Sequence, residues 1–349
     1  MIRRVLCAIA VGVLAWTSAP GVTAAAPGPV WHQRGIDMPP RLQWNANSGY
    51  CGETSFISAG MRYGQYTSQW TARSLASPGV PQWKASSQLL LGVNDLSAAK
   101  AMHLEAVRFD SRTQRSTEQY LRWVKGRFLR GDVVIMGVLN NVTTLGETPP
   151  GDNEFDHIVP MMGIGSLTSL RTGRDRYYPS DSITISDNGL HNVGPTYPYL
   201  YSYRFSDFPR SRAAANRPGG AVYSLRDRPA NYATAVTGIV DRDGVTLPVR
   251  LTSDVNGEGV WNVAVGKQPP APISMTLTAH VSIPDDGVAY NLYLYDNFAD
   301  VPTAGFNARA DRAIQTWQIP AGSGPIWRVT IDAMSDQTRI FRAAPVTAP

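Results

Sequence analysis

Cys51 sits in Trp44-Asn45-Ala46-Asn47-Ser48-Gly49-Tyr50-Cys51-Gly52-Glu53-Thr54-Ser55, where a polar, glycine-containing turn runs into a stretch of helix-like apolar spacing. A thiol so placed opens a helix, where the dipole and the unpaired N–H groups favour the thiolate. The other cysteine, Cys7, falls in residues 1–26, which read as an export signal. Arg3 and Arg4 form its basic end, Val5 to Trp16 its apolar stretch, and Val22 to Ala26 its small-residue cleavage region. An exported chain would then keep one thiol with no internal disulfide partner. Such a thiol is exposed to oxidation, so its presence calls for a chemical role. The competing reading is a small buried residue opening a core helix.

Cysteine acyl transfer needs a thiolate, an imidazole, a group that orients the imidazole, and donors for the oxyanion. His157, at the start of an apolar run after a polar loop, is the leading imidazole. His191, two residues past a glycine turn, is its competitor, while His32, His103 and His280 lie in less suitable surroundings. Asp187 is the expected orienting group. In an antiparallel hairpin pairing residue 157 with residue 187, the tip falls at residue 172, within the polar segment Leu170 to Asp175. Asn188 is the alternative, facing the other way on a regular strand unless a bulge exchanges the two. The expected oxyanion donors are the side-chain amide of Asn45 and the backbone N–H of Cys51, with Gln43 and Asn47 as further amides.

These residues need elements to hold them. Residues 51–64 read as a helix with Phe56, Ile57, Met61 and Tyr63 on one face. A second helix is expected over 94–104. A third is expected over 116–129, where Ser116 and Gln119 form a capping-box pattern ahead of Tyr120, Trp123, Val124, Phe128 and Leu129. Apolar runs at 133–139, 157–164 and 182–189 read as strands. Helices first and strands after predict an α+β domain with segregated layers. From about Tyr232 short alternating strands appear, at 233–240, 246–251, 275–281, 290–295, 316–319, 327–331 and 339–342. Asp243-Gly244, Asn256-Gly257 and Asp286-Gly287 mark turns between them, the pattern of an all-β sandwich.

The order of an amide, Gly49-Tyr50-Cys51-Gly52, Asp156-His157-Ile158-Val159-Pro160 and Asp187 resembles papain-like cysteine peptidases, and most closely the C39-like peptidase group. The resemblance covers roughly residues 40–210. It implies a papain-like fold with Cys51 as nucleophile, His157 as acid and base, Asp187 as the orienting acid and Asn45 as the oxyanion amide, with no cofactor. Members that cut leader peptides often sit on membrane transporters; this sequence shows no transporter segment or nucleotide-binding motif. The expected organisation is a signal peptide at 1–26, an arm at 27–40, the peptidase-like domain at 41–210, a Pro/Arg/Gly-rich linker at 211–230 and the sandwich at 231–349.

The formal charge is +5, and +3 without Arg3 and Arg4, with no basic block. That argues against nucleic acid as a partner. The apolar stretch in the first 26 residues is too short for a permanent membrane anchor. The expectation is a secreted cysteine hydrolase acting on a peptide or protein, including cell-wall peptide. The alternatives are a wall amidase or transpeptidase with the same machinery, and a non-catalytic binding protein built on a degenerate peptidase domain.

Overall fold

The computed structural model describes residues 30–44, 46–47, 49–114, 116–138, 157–186, 188, 200–208, 231–258, 268–306 and 311–346. In chain order the first elements are β1 (His32–Gly35), α1 (Cys51–Arg62), β2 (Gln65–Tyr66), α2 (Gln69–Ala76), α3 (Asp95–Ala101) and β3 (Leu104–Arg108). Then come α4 (Thr117–Arg130), β4 (Val133–Val138), β5 (His157–Ser166), β6 (Ser182–Ser186), β7 (Leu200–Arg204) and β8 (Ala233–Ile239). The last are β9 (Val249–Ser253), β10 (Ser274–Ser282), β11 (Tyr290–Tyr295), β12 (Gln315–Ile319), β13 (Ile326–Met334) and β14 (Arg339–Pro345). The fold is mixed α+β with sheets predominating. Among the described residues no helix is long and apolar enough to cross a membrane.

α4 forms where the capping box marks it: the Ser116 side chain accepts from the Gln119 N–H, and Gln119 reciprocates. It ends at Gly131, whose φ of 95° suits a residue without a Cβ. Its apolar face (Tyr120, Leu121, Val124, Phe128, Leu129) packs with Val134, Met136, Val159 and Ile185 of the sheet beside it. α3 is shorter than expected because His103 adopts φ 52° and turns the chain into β3. α2 has no counterpart in the sequence reading. Ser68 caps it by accepting from Thr71 N–H.

The first sheet runs β3-β8-β4-β5-β6-β7, with β1 pairing β5 from off this path, all antiparallel. The arm expected at 27–40 thus supplies a strand. Two further sheets run β13-β10-β9 and β12-β11-β14-β2. The strand expected to open the sandwich, over 233–240, exists but lies elsewhere. As β8 it fills the first sheet between β3 and β4. In exchange β2, next to α1, pairs with β14. One apolar cluster joins Phe56, Ile57 and Met61 of α1 to Leu251, Leu277, Leu292 and Phe341 of the C-terminal strands. The residues from Trp31 onward accordingly form one compact unit.

Candidate functional site

Cys51 is the first residue of α1, a reduced thiol only 5 % exposed. The backbone before it is forced into a tight turn, with Asn47 at φ 50° and Gly49 at φ 86°. The latter conformation favours glycine. Gly52 is required for a different reason: a Cβ there would overlap the carbonyl oxygen of Leu89, whose backbone crosses α1 at this point. The two glycines flanking Tyr50-Cys51 therefore each have a steric cause.

A buried cation holds this turn. Arg73 of α2 is fully buried, donates to the carbonyls of Asn47 (2.9 Å), Gln82 (3.3 Å) and Gly49, and lies over the Tyr50 ring at 3.5 Å from its centroid. Its charge is met by Glu53 of α1, 2.6 Å from Nε, and Glu53 also accepts from Leu89 N–H at 3.0 Å. Removing one partner of such a pair costs about 3–5 kcal/mol, because the other charge stays buried. Burial raises the Tyr50 phenol above its usual range, and Arg73 partly offsets this.

His157 opens β5, opposite Val138 of β4, and is fully buried. The backbone next to it is tied to the thiol-bearing helix by Asn188. Its Nδ2 donates to the carbonyls of Cys51 (3.0 Å) and Ile158 (2.8 Å) and lies 3.3 Å from Ser55 Oγ. Ser55 Oγ contacts the same two carbonyls, at 2.8 and 3.1 Å. The first turn of α1 and the start of β5 are thus bound to one amide. The two carbonyl acceptors fix which end of that amide is nitrogen. Its Oδ1 is buried and has no partner among the described residues.

The pairing of β5 with β6 departs from the expected register. That register would put Gly163 opposite Asp181, whereas Gly163 pairs with Thr184. A shift between Met161 and Gly163 then brings the pairing one residue back towards that register, with Met161 opposite Ile185. Ile183 and Ile185 of β6 face the α4 side, so alternation turns Asn188 the other way, where its side chain meets the thiol-bearing helix. Asp187 lies outside the described residues, as do Asn45 and His191.

Gln43 is the amide that the structure brings to the turn. It is 1 % exposed, its backbone N–H donates to Asn188 O at 2.9 Å, and its Oε1 accepts from Tyr50 N–H at 2.8 Å. An N–H can be met only by oxygen, so the amide is fixed with Nε2 outward from that bond. Nε2 is buried and has no partner among the described residues. Asn47 is engaged differently, its Nδ2 donating to Tyr50 Oη at 3.2 Å.

The segment carrying Gln43 is clamped from the C-terminal half. Leu42 N–H donates to Asn256 O (2.6 Å), Arg41 Nη1 to Val255 O (2.7 Å) and Trp44 Nε1 to Glu258 O (3.4 Å). Gln69, the first residue of α2, donates its N–H to both Glu258 carboxyl oxygens at 2.9 and 3.0 Å and receives Trp44 N–H on Oε1 at 2.8 Å. Burial pushes the Glu258 carboxyl up to about 8, opposed chiefly by Arg41. Arg73, Gln69, Ser55 and Glu258 were not singled out by the sequence. The signal that could have found the helix carrying Arg73 is Ser68, a cap-type residue three before Thr71.

The remaining described histidines stand apart. His103 meets Phe298 edge-on at 5.9 Å, and burial lowers its proton affinity. His32 lies in β1 and His280 in β10. Among the described residues no group of three His, Cys, Asp or Glu side chains could hold a metal ion. The site thus holds a thiol at a helix start, a strand that opens with an imidazole and is tied to that helix through Asn188, and a buried donor amide, the residue types of acyl transfer. No family model, curated protein or solved structure matches the chain.

Proposed function

We propose that the chain is a secreted cysteine hydrolase cleaving peptide bonds. In this reading a papain-like domain resembling the C39-like group is joined to a β-sandwich. The observation that carries the reading is the Asn188 amide, which binds the Cys51 and Ile158 carbonyls together. It holds the thiol-bearing helix turn against the histidine-bearing strand end. Tying segments so distant in sequence through a buried side chain is a large constraint for a purely structural thiol.

In the proposed mechanism Cys51 Sγ attacks the carbonyl carbon of a peptide after giving its proton to His157. The carbonyl oxygen becomes an oxyanion that accepts from Gln43 Nε2 and the Cys51 N–H. His157 returns the proton to the departing amine, leaving a thioester. It then takes a proton from water, which attacks the thioester and releases the acid. Asp187 is the proposed orienting group for the ring, with Asn188 Oδ1 as the alternative acceptor. Asn45 is a second proposed oxyanion amide. Burial of Gln43, Cys51, His157 and Asn188 makes hydrogen bonds formed by these residues stronger than they would be in water.

The test is turnover of a mixed peptide library by the wild type, Cys51→Ala and His157→Ala, with circular dichroism as the check on folding. Loss of all cleavage in both folded variants is the expected result. Retained cleavage in either would remove that residue from the mechanism.

A further inference from the structure

The outward face of the β13-β10-β9 sheet is ordered by charge. Inward residues Leu251, Leu277, Ala279 and Val281 are buried, so alternation turns their neighbours outward. The pairing sets these in rows across three strands. One row is Arg250, His280 and Arg328; the next is Thr252, Thr278 and Thr330. Beyond it Thr276 pairs with Asp332, and Asp254 binds Thr276 through N–H and hydroxyl at 2.7 and 2.9 Å.

The basic row is internally fixed. Arg328 Nε donates to His280 Nδ1 at 3.1 Å. A guanidinium only donates, so the ring proton sits on Nε2, which donates to Thr252 Oγ1 at 3.0 Å. The Arg328 side chain is thereby pinned to the surface, and its two terminal nitrogens, on an exposed residue, have no acceptor among the described residues. Arg250 already holds a carboxylate: its Nε lies 3.0 Å from Oδ2 of Asp37, itself 72 % exposed. His280 is kept towards its neutral form by burial and by the two arginines, against Asp37.

We propose that this strip binds an acidic polysaccharide, its carboxylates on Arg328 and Arg250 and its hydroxyls on the threonine row. Three observations select that occupant. Asp37 occupies Arg250 from an exposed position, so a ligand carboxylate can take its place there. The hydroxyl row runs parallel to the basic row and about 7 Å from it, two residues along the strand. The aspartates a further two residues on, about 14 Å from the basic row, confine negative charge to one narrow band. A nucleic acid duplex, with phosphates on both sides of a wide groove, would meet that acidic row. The inference is independent of the thiol chemistry.

Isothermal titration of the full chain tests it, with alginate as the carboxylated polysaccharide, dextran as its neutral counterpart and inorganic polyphosphate as the phosphate probe. Alginate should bind with an affinity that falls as salt rises. The Arg250→Gln/Arg328→Gln double variant, folded by circular dichroism, should lose at least about tenfold, the scale of one charged hydrogen bond. Dextran should not bind. No binding of alginate, unchanged affinity in the double variant, or equal binding of dextran would overturn the proposal. Polyphosphate binding without alginate binding would also overturn it, by assigning the row to phosphate.

Discussion

A primary amide buried beside a thiol has two ends to satisfy, and at Gln43 only the oxygen is engaged among the described residues. Leaving a donor unmet inside a protein costs about 1–3 kcal/mol, a cost recovered when an oxyanion arrives. If Nε2 is that donor, Gln43→Ala should lower kcat by about 10²–10³-fold, the usual loss for one oxyanion donor, with Cys51 alkylation unaffected. Gln43→Glu keeps the acceptor for Tyr50 N–H but removes the donor, and should be as inactive. Steady-state kinetics on the two variants checks this; an active Gln43→Glu would mean that the residue serves only to brace the turn. At this scale Cys51 and His157 stand out in the sequence because their residue types are rare and their settings marked. Gln43 competed with Asn45 and Asn47, and spacing alone does not say which amide folds back.

Among the elements, α2 depends on a carboxyl from the loop after β9. Glu258 binds the Gln69 N–H at the helix start, where the dipole favours negative charge. Burial nevertheless dominates and raises the group from 4.5 to about 8. The folded chain therefore holds a proton that the unfolded chain has released between these values. Stability from this group is complete below pH 4.5 and is lost as pH rises through about 8. Urea unfolding midpoints of the wild type should fall across that window, and Glu258→Gln should flatten the slope; an unchanged slope in the variant would contradict the assignment. Element identities were largely readable, as the Ser116–Gln119 capping box shows. Register was not. The bulge at Met162 and the placement of β8 depend on partners distant in sequence, and an alternating strand pattern does not name its neighbour.

For the whole molecule, the exchange of β8 and β2 between sheets couples the two halves. Tyr66 Oη donates to Ser335 O at 2.7 Å and buried Arg342 donates to Gln65 Oε1 at 2.7 Å, so the seam is polar as well as apolar. A linker at 211–230 does not separate domains when the strand after it returns to the first sheet. Calorimetry should show one transition, with calorimetric and van't Hoff enthalpies equal. Two resolved transitions would mean that the halves unfold separately. The composition change near Tyr232 marked where the all-β texture begins, but not that its first strand belongs with the preceding elements.

The most direct test is alkylation of Cys51 by iodoacetamide across pH, in the wild type and in His157→Ala. Cys51 is nearly buried, so the pH dependence rather than the absolute rate is the readout. An activated thiol–imidazole pair predicts labelling that persists well below the ordinary thiol value of ~8.5 and is lost in the variant. Labelling that rises only at alkaline pH in both proteins would contradict the central claim.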